Sequence, residues 1–116
     1  MVIPFRTIGN ELLRPSSDMV LYAPLWNQKL IGTTFYSMDS NRHLMTNVGA
    51  TWGKYGRTFD GTDDVIYCGS ATVLDNLTGN QTHMVWIKPT SLGENNEGYI
   101  VGKGTFYLYM IATART

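Results

Sequence analysis

Three aspartates within five residues, Asp60, Asp63 and Asp64, form the only tight acidic cluster of this 116-residue chain. Carboxylates at that spacing, helped by loop carbonyls, suit a hard cation such as calcium, whose shell takes about six to eight oxygens. The same residues also have structural uses. Asp60 precedes Gly61 and fits a turn, while the adjacent Asp63 and Asp64 point to opposite faces of an extended chain, so that one can pair with Arg57. A calcium site and a plain turn both remain open at this point.

Aromatic side chains are the second set able to do chemistry. A ring face can stack on the apolar C–H face of a sugar, and Trp26, Trp52, Trp86, Tyr67, Tyr107 and Tyr109 are the candidates. Trp86 sits inside an alternating apolar run, which points to the core. Trp26 and Trp52 lie beside Pro24-Leu25 and Gly53, at the ends of short apolar segments near loops. Tyrosine presents an apolar body with a polar tip, so Tyr67, Tyr107 and Tyr109, with Trp52, are the expected ligand-binding residues.

Catalytic patterns are missing. Glycosidic bond cleavage needs two carboxylates flanking one bond, about 5 Å apart in retaining enzymes, yet no strand carries alternating acids. Glu94-Asn-Asn-Glu97 lies in a Gly- and Asn-rich stretch that suits a solvated turn. There is no Gly-x-Ser-x-Gly elbow, and Gly102-Lys-Gly104 lacks the rest of a phosphate loop. The single cysteine, Cys68, excludes an intrachain disulfide and reads as a buried thiol, and two histidines leave little for a zinc site. No enzyme activity is expected.

These residues must be positioned by short strands. With 43% hydrophobic and 16% charged residues the chain is globular. Nine basic and nine acidic residues give no electrostatic case for nucleic acid or a polybasic membrane anchor. No apolar run approaches the roughly 18 residues of a membrane helix, and the N-terminus lacks the pattern of a signal peptide. Apolar, β-branched and aromatic segments recur at 19–25, 33–36, 50–52, 55–59, 65–68, 82–87, 99–101 and 105–113, each bounded by turn residues. That spacing predicts an all-β sandwich or barrel. A hairpin is expected from Tyr55 to Cys68 about Asp60-Gly61, with a short helical turn near 70–76. Leu21, Phe59, Ile66, Trp86, Ile100 and Leu108 are the expected core.

Four pieces occur in order: Met19-Val-Leu-Tyr-Ala-Pro-Leu25, Gly56-Arg-Thr-Phe-Asp-Gly-Thr-Asp-Asp-Val-Ile66, Thr82-His-Met-Val-Trp-Ile-Lys-Pro89 and Ile100-Val-Gly-Lys-Gly104. Together they resemble the laminin G-like branch of the concanavalin A-like lectin/glucanase superfamily, over most of residues 19–104. The resemblance implies an antiparallel jelly-roll-like β-sandwich over residues 19–116, incomplete at this length, after a lead-in segment of residues 1–18. It also implies a non-catalytic module that binds a glycan or a protein surface, sometimes with calcium at the rim, within a larger extracellular or virion-associated protein. A purely structural domain of a phage or viral appendage is the alternative, and a glycoside hydrolase-like remnant a weaker one. The uncharged strand at 105–113 is expected to favour self-association.

Overall fold

The computed structural model describes residues 17–104 and 106–111. Among these residues strand outweighs helix, 32% to 11%, which is compatible with an all-β chain. Among the described residues seven strands form three small antiparallel sheets: β1 (Thr34–Tyr36), β2 (Leu44–Val48) and β5 (Val65–Tyr67); β3 (Thr51–Gly53) with β4 (Gly56–Thr58); and β6 (Glu97–Lys103) with β7 (Phe106–Ile111). One helical turn, α1 (Thr72–Asp75), falls inside the expected stretch, and two 3-10 turns cover Gln28–Leu30 and Glu94–Asn96. Of the two expected segments, the lead-in lies outside the described residues up to residue 16, and so do Thr105 and residues 112–113 of the last strand.

The core sits under the first sheet. Phe35 of β1 stands opposite Met45 of β2, on the face turned inward, and both close on Leu30 from the first 3-10 turn. Asn27 caps that turn by accepting the Lys29 amide proton at 2.9 Å, which fixes where Leu30 enters. Leu21, Ala23, Leu25, Met38, Ile66 and Cys68 pack around this trio. The segment 19–25, expected as a strand, forms none; its Tyr22 carbonyl accepts one hydrogen bond from Met38 at 2.8 Å. The central strand β2 was not expected, because Leu44-Met-Thr-Asn-Val48 mixes polar and apolar residues.

Strands β2 to β5 make one long antiparallel excursion in two registers. Val48 pairs Val65 and Thr51 pairs Thr58, so two residues on the outgoing side face six on the return. Those six, Phe59 to Asp64, form the acidic loop, four residues more than the facing side supplies. The expected hairpin about Asp60-Gly61 is therefore corrected. The tight connection is Lys54-Tyr55, between the paired Gly53 and Gly56, and β5 pairs with β2 instead of β4. Phe59, expected in the core, is carried into this loop and is 45% exposed.

The C-terminal hairpin β6–β7 stands apart from the core cluster. A bulge between Tyr99 and Val101 shifts its register, and the two strands then run to Lys103 opposite Phe106. The segment 82–87, expected as a strand with Trp86 inside, is neither. It pairs with nothing among the described residues, and Trp86 is 94% exposed. Alternation alone predicts a strand face, but a face is buried only where a second layer exists to receive it. Leu108 is likewise exposed, and Ile100 only half-buried.

Candidate functional site

Tyr107 and Tyr109 project from one face of β7, as period-two alternation requires. Tyr99 pairs with Tyr109 across the hairpin. Its ring lies 5.3 Å from that of Tyr107, edge to face, and 5.7 Å from that of Tyr109. Such offset geometries are the preferred ones for aromatic pairs. Gly102 pairs with Tyr107, and a β-carbon there would come within 2.5 Å of the Tyr107 ring; the missing side chain is the seat of that tyrosine. All three rings stay about half exposed or more. The result is an open aromatic face of three rings, with Glu97, the partner of Ile111, at its end. The structure brings the expected Tyr107 and Tyr109 together with Tyr99, which the sequence reading did not single out and whose signal was its place in the preceding strand of a two-strand hairpin.

The other expected ligand residues lie elsewhere. Tyr67 ends β5 on the first sheet, paired with Thr46. Trp52 is on β3, and its indole N–H donates to the Asn27 carbonyl at 3.3 Å. With Trp26, Gln28 and Lys54 it lines a shallow groove. Trp52, Tyr67 and the Tyr107–Tyr109 pair thus belong to three different sheets.

Asp60, Asp63 and Asp64 bring carboxylate oxygens within 4.8 Å of one another, the convergence a cation would need. Two of those oxygens are already engaged by the loop itself. Asp60 Oδ1 accepts the Thr62 amide at 2.8 Å, and Asp64 Oδ2 accepts the Asp60 amide at 2.7 Å. The Thr62 amide, followed by weaker backbone donors, holds the Asp60 carboxyl below its ordinary value. Asp64 Oδ1 fills the space beside Gly49, where a β-carbon would collide with it. Gly49 also has a φ of +84°, so that position favours glycine twice over. The arrangement accounts fully for a closed six-residue loop.

No family model, curated protein or solved structure matches this chain.

Two polar clusters went unnoticed in the sequence. Ser37, Asp39 and His43 are all buried, and their types invite comparison with a hydrolytic triad. The geometry is different. The Ser37 hydroxyl accepts the His43 backbone N–H at 2.7 Å, and the imidazole Nε2 lies 2.9 Å from the Val20 carbonyl, so that nitrogen carries the proton. Asp39 accepts the amides of Tyr22 and Asn41, each at 2.9 Å. Burial pushes the Asp39 carboxyl up, but hydrogen bonds from Ser37 and those amides outweigh it and leave the pKa lowered. The cluster ties the β1–β2 connection to residues 20–22.

Arg57 is the second brace. Its guanidinium donates to the carbonyls of Ala50 at 2.9 Å, Leu30 at 2.7 Å and Gly32 at 2.8 Å, and lies over the Phe35 ring. The expected partner, Asp63 or Asp64, is replaced by main-chain oxygens. Five donors in a planar fork make this possible, and lysine could not reproduce it. Burial without a carboxylate pulls the Arg57 pKa down. Cys68 is half-buried against the core, where burial pushes its thiol pKa up, away from nucleophilic use.

Proposed function

We propose that this chain is a non-catalytic recognition module that takes a glycan on the face formed by Tyr99, Tyr107 and Tyr109. The observation that carries the reading is the packing of three exposed rings across one strand pair. Flat apolar sugar faces fit such rings, and the tyrosine hydroxyls supply hydrogen bonds. The order of motifs shared with laminin G-like domains supports the same reading. It extends to the finer architecture, a jelly-roll-like sandwich within a larger extracellular or virion-associated protein.

The Asp60 and Asp64 carboxylates of the acidic loop and the Ser37–Asp39–His43 cluster are engaged by backbone groups, which favours binding over catalysis. A structural role in an assembly is the second reading. It is favoured by Met84 and Trp86, 85% and 94% exposed on an uncharged segment.

A glycan array followed by NMR titration separates the two. Saturable shifts of the tyrosine ring resonances, lost in Tyr99→Ala and Tyr109→Ala, are expected; the absence of binding to any sugar favours the assembly role. Calcium is tested in the same series. A melting temperature that rises with millimolar calcium and is insensitive to it in Asp63→Asn would add the ion, because Asp63 is the one aspartate of the loop whose side chain accepts no backbone amide.

A further inference from the structure

We infer that the groove between Trp26 and Trp52, where the first 3-10 turn meets the β3–β4 hairpin, is a binding site for a sugar that carries a carboxylate. The groove measures about 380 Å³ and is lined by Trp26, Asn27, Gln28, Trp52 and Lys54. That volume is at the small end of ligand sites, which run from about 300 to 1,000 Å³.

Its walls are fixed in advance by one residue. The Asn27 amide donates to the Pro24 carbonyl at 2.8 Å, closing a turn that carries Leu25 and Trp26. The Asn27 side chain accepts the Lys29 amide at 2.9 Å. Its carbonyl accepts the Leu30 amide at 2.9 Å and the Trp52 indole N–H at 3.3 Å. With its nitrogen spent on the main chain, Trp52 has only ring surface to offer. Trp26 is 50% exposed and Trp52 half-buried, and neither belongs to the cluster of Leu30, Phe35 and Met45. Two aromatic rings are thus held at a groove that the core does not need.

Charge selects the ligand. Lys54, in the tight turn of the hairpin, brings an ammonium to the same groove. Among the described residues it has no carboxylate partner, and it rests over the Tyr55 ring at 4.8 Å, which leaves its charge intact. Arg57, paired with Trp52 across the hairpin, is a second cation bound to carbonyls and to no carboxylate. No acid lines the groove among the described residues. The C–H face of a sugar ring fits an indole, and a carboxylate on that ring meets Lys54 in a charge-assisted hydrogen bond. Gln28 is exposed and supplies an amide donor and acceptor for hydroxyls. The groove is shallow, which suits a sugar whose outer hydroxyls stay hydrated; an apolar acid would need enclosure.

NMR titration of the full chain tests this, with the methyl glycosides of glucuronic acid and N-acetylneuraminic acid set against methyl glucoside and benzoate. At least one acidic sugar should shift the Trp26 and Trp52 ring resonances saturably and leave those of Trp86 in place. Methyl glucoside should bind more weakly by about threefold to fivefold, the effect of one exposed ion pair. Lys54→Met should erase that preference while the sugars still bind. Trp26→Ala should weaken every sugar by about tenfold. No saturation with either acidic sugar overturns the inference, and so do shifts confined to Trp86. Equal affinity for the neutral sugar, a preference that survives Lys54→Met, binding untouched by Trp26→Ala, or benzoate binding as well as the acidic sugars does the same. If Trp26→Ala misfolds by circular dichroism, Lys54→Met decides alone, because Lys54 lies on an exposed turn outside the core. The tyrosine face is read separately in the same spectra: shifts at Tyr99, Tyr107 and Tyr109 without indole shifts remove only this inference, and indole shifts alone remove only the tyrosine reading.

Discussion

The region from residue 17 to α1 and the region beyond it hold together by different means. In the first, Leu30, Phe35 and Met45 are almost fully buried, and one buried polar cluster and the half-buried Arg57 tie loops to strands. In the second, Met84, Trp86, Tyr99, Tyr107, Tyr109 and Ile111 are exposed, and stability rests on one strand pairing and cross-strand rings. The main polar link between the two is Lys103, whose ammonium meets Asp75 of α1 at 2.6 Å and the Gly69 carbonyl at 3.0 Å. Both partners are partly exposed, and a pair of that kind contributes about 0–1 kcal/mol. Both regions expose large apolar side chains, Tyr55 and Tyr67 in the first among them, but only the first closes a buried cluster; among the described residues beyond α1 none is fully buried.

The largest expected effect tests this contrast directly. Phe35→Ala removes the ring that Leu30, Met45 and Arg57 all touch, and should cost about 3–5 kcal/mol in urea unfolding. Trp86→Ala should change stability by no more than about 0.5 kcal/mol, as at other exposed positions. Equal losses at the two sites would mean that Trp86 is buried in solution and that the contrast is false.

Arg57→Met should follow, at about 1.5–3 kcal/mol, because it keeps the apolar stem but leaves three carbonyls without their donor. Arg57→Lys should recover little of the loss, since a single ammonium cannot reach three carbonyls from separate segments. Full recovery with lysine would show that charge, not the fork, holds the loops.

How much of this was legible beforehand follows from the same contrast. The strand-rich class and the helical turn at Thr72–Asp75 were readable, because short β-branched segments between turn residues have few other solutions. Strand β2 was not, since its inward residue Met45 is followed by Thr46 and Asn47, and burial of one side chain leaves little periodic signal. The turn at Asp60-Gly61 was legible as a turn but not as a loop between two registers; that depends on Gly49 making room for Asp64 from the opposite strand. Trp86 misled because an alternating run states which residues share a face and not whether anything covers it. The buried Ser37–Asp39–His43 cluster has spacing that also fits a solvated turn, and only the approach of residues 20–22 makes it a brace.

Acid should act on the first region before the second. The lowered Asp39 carboxyl contributes stability that is complete above the unfolded-state pKa, near 3.9, and is lost as pH falls from there through the lower folded value. Asp60 acts in the same direction, but it is exposed and solvent screens its contribution. Asp39→Asn should therefore flatten the acid limb of the stability curve, with amides around Tyr22 and Asn41 losing exchange protection first. A wild-type curve that is flat below pH 4, or loss of β6–β7 protection before these amides, would break the assignment.

The smallest effect on stability is expected at Gly102, where it sharpens what the second region is for. Its backbone lies outside the left-handed range, so alanine is sterically permitted by the main chain itself. Restricting the unfolded chain would then stabilise by about 0.4–1 kcal/mol. The new methyl group would meet the Tyr107 ring at 2.5 to 2.9 Å and push it from its seat, forfeiting much of an aromatic contact worth about 0.5–1.5 kcal/mol. The two terms nearly cancel, so Gly102→Ala should melt within a degree or two of wild type while the Tyr99 and Tyr107 ring resonances shift. Loss of glycan binding at unchanged stability would show that the three-ring geometry, and not merely the presence of tyrosine, forms the binding face. Unmoved ring resonances would mean that Tyr107 does not rest on Gly102, and the face would lose its structural basis.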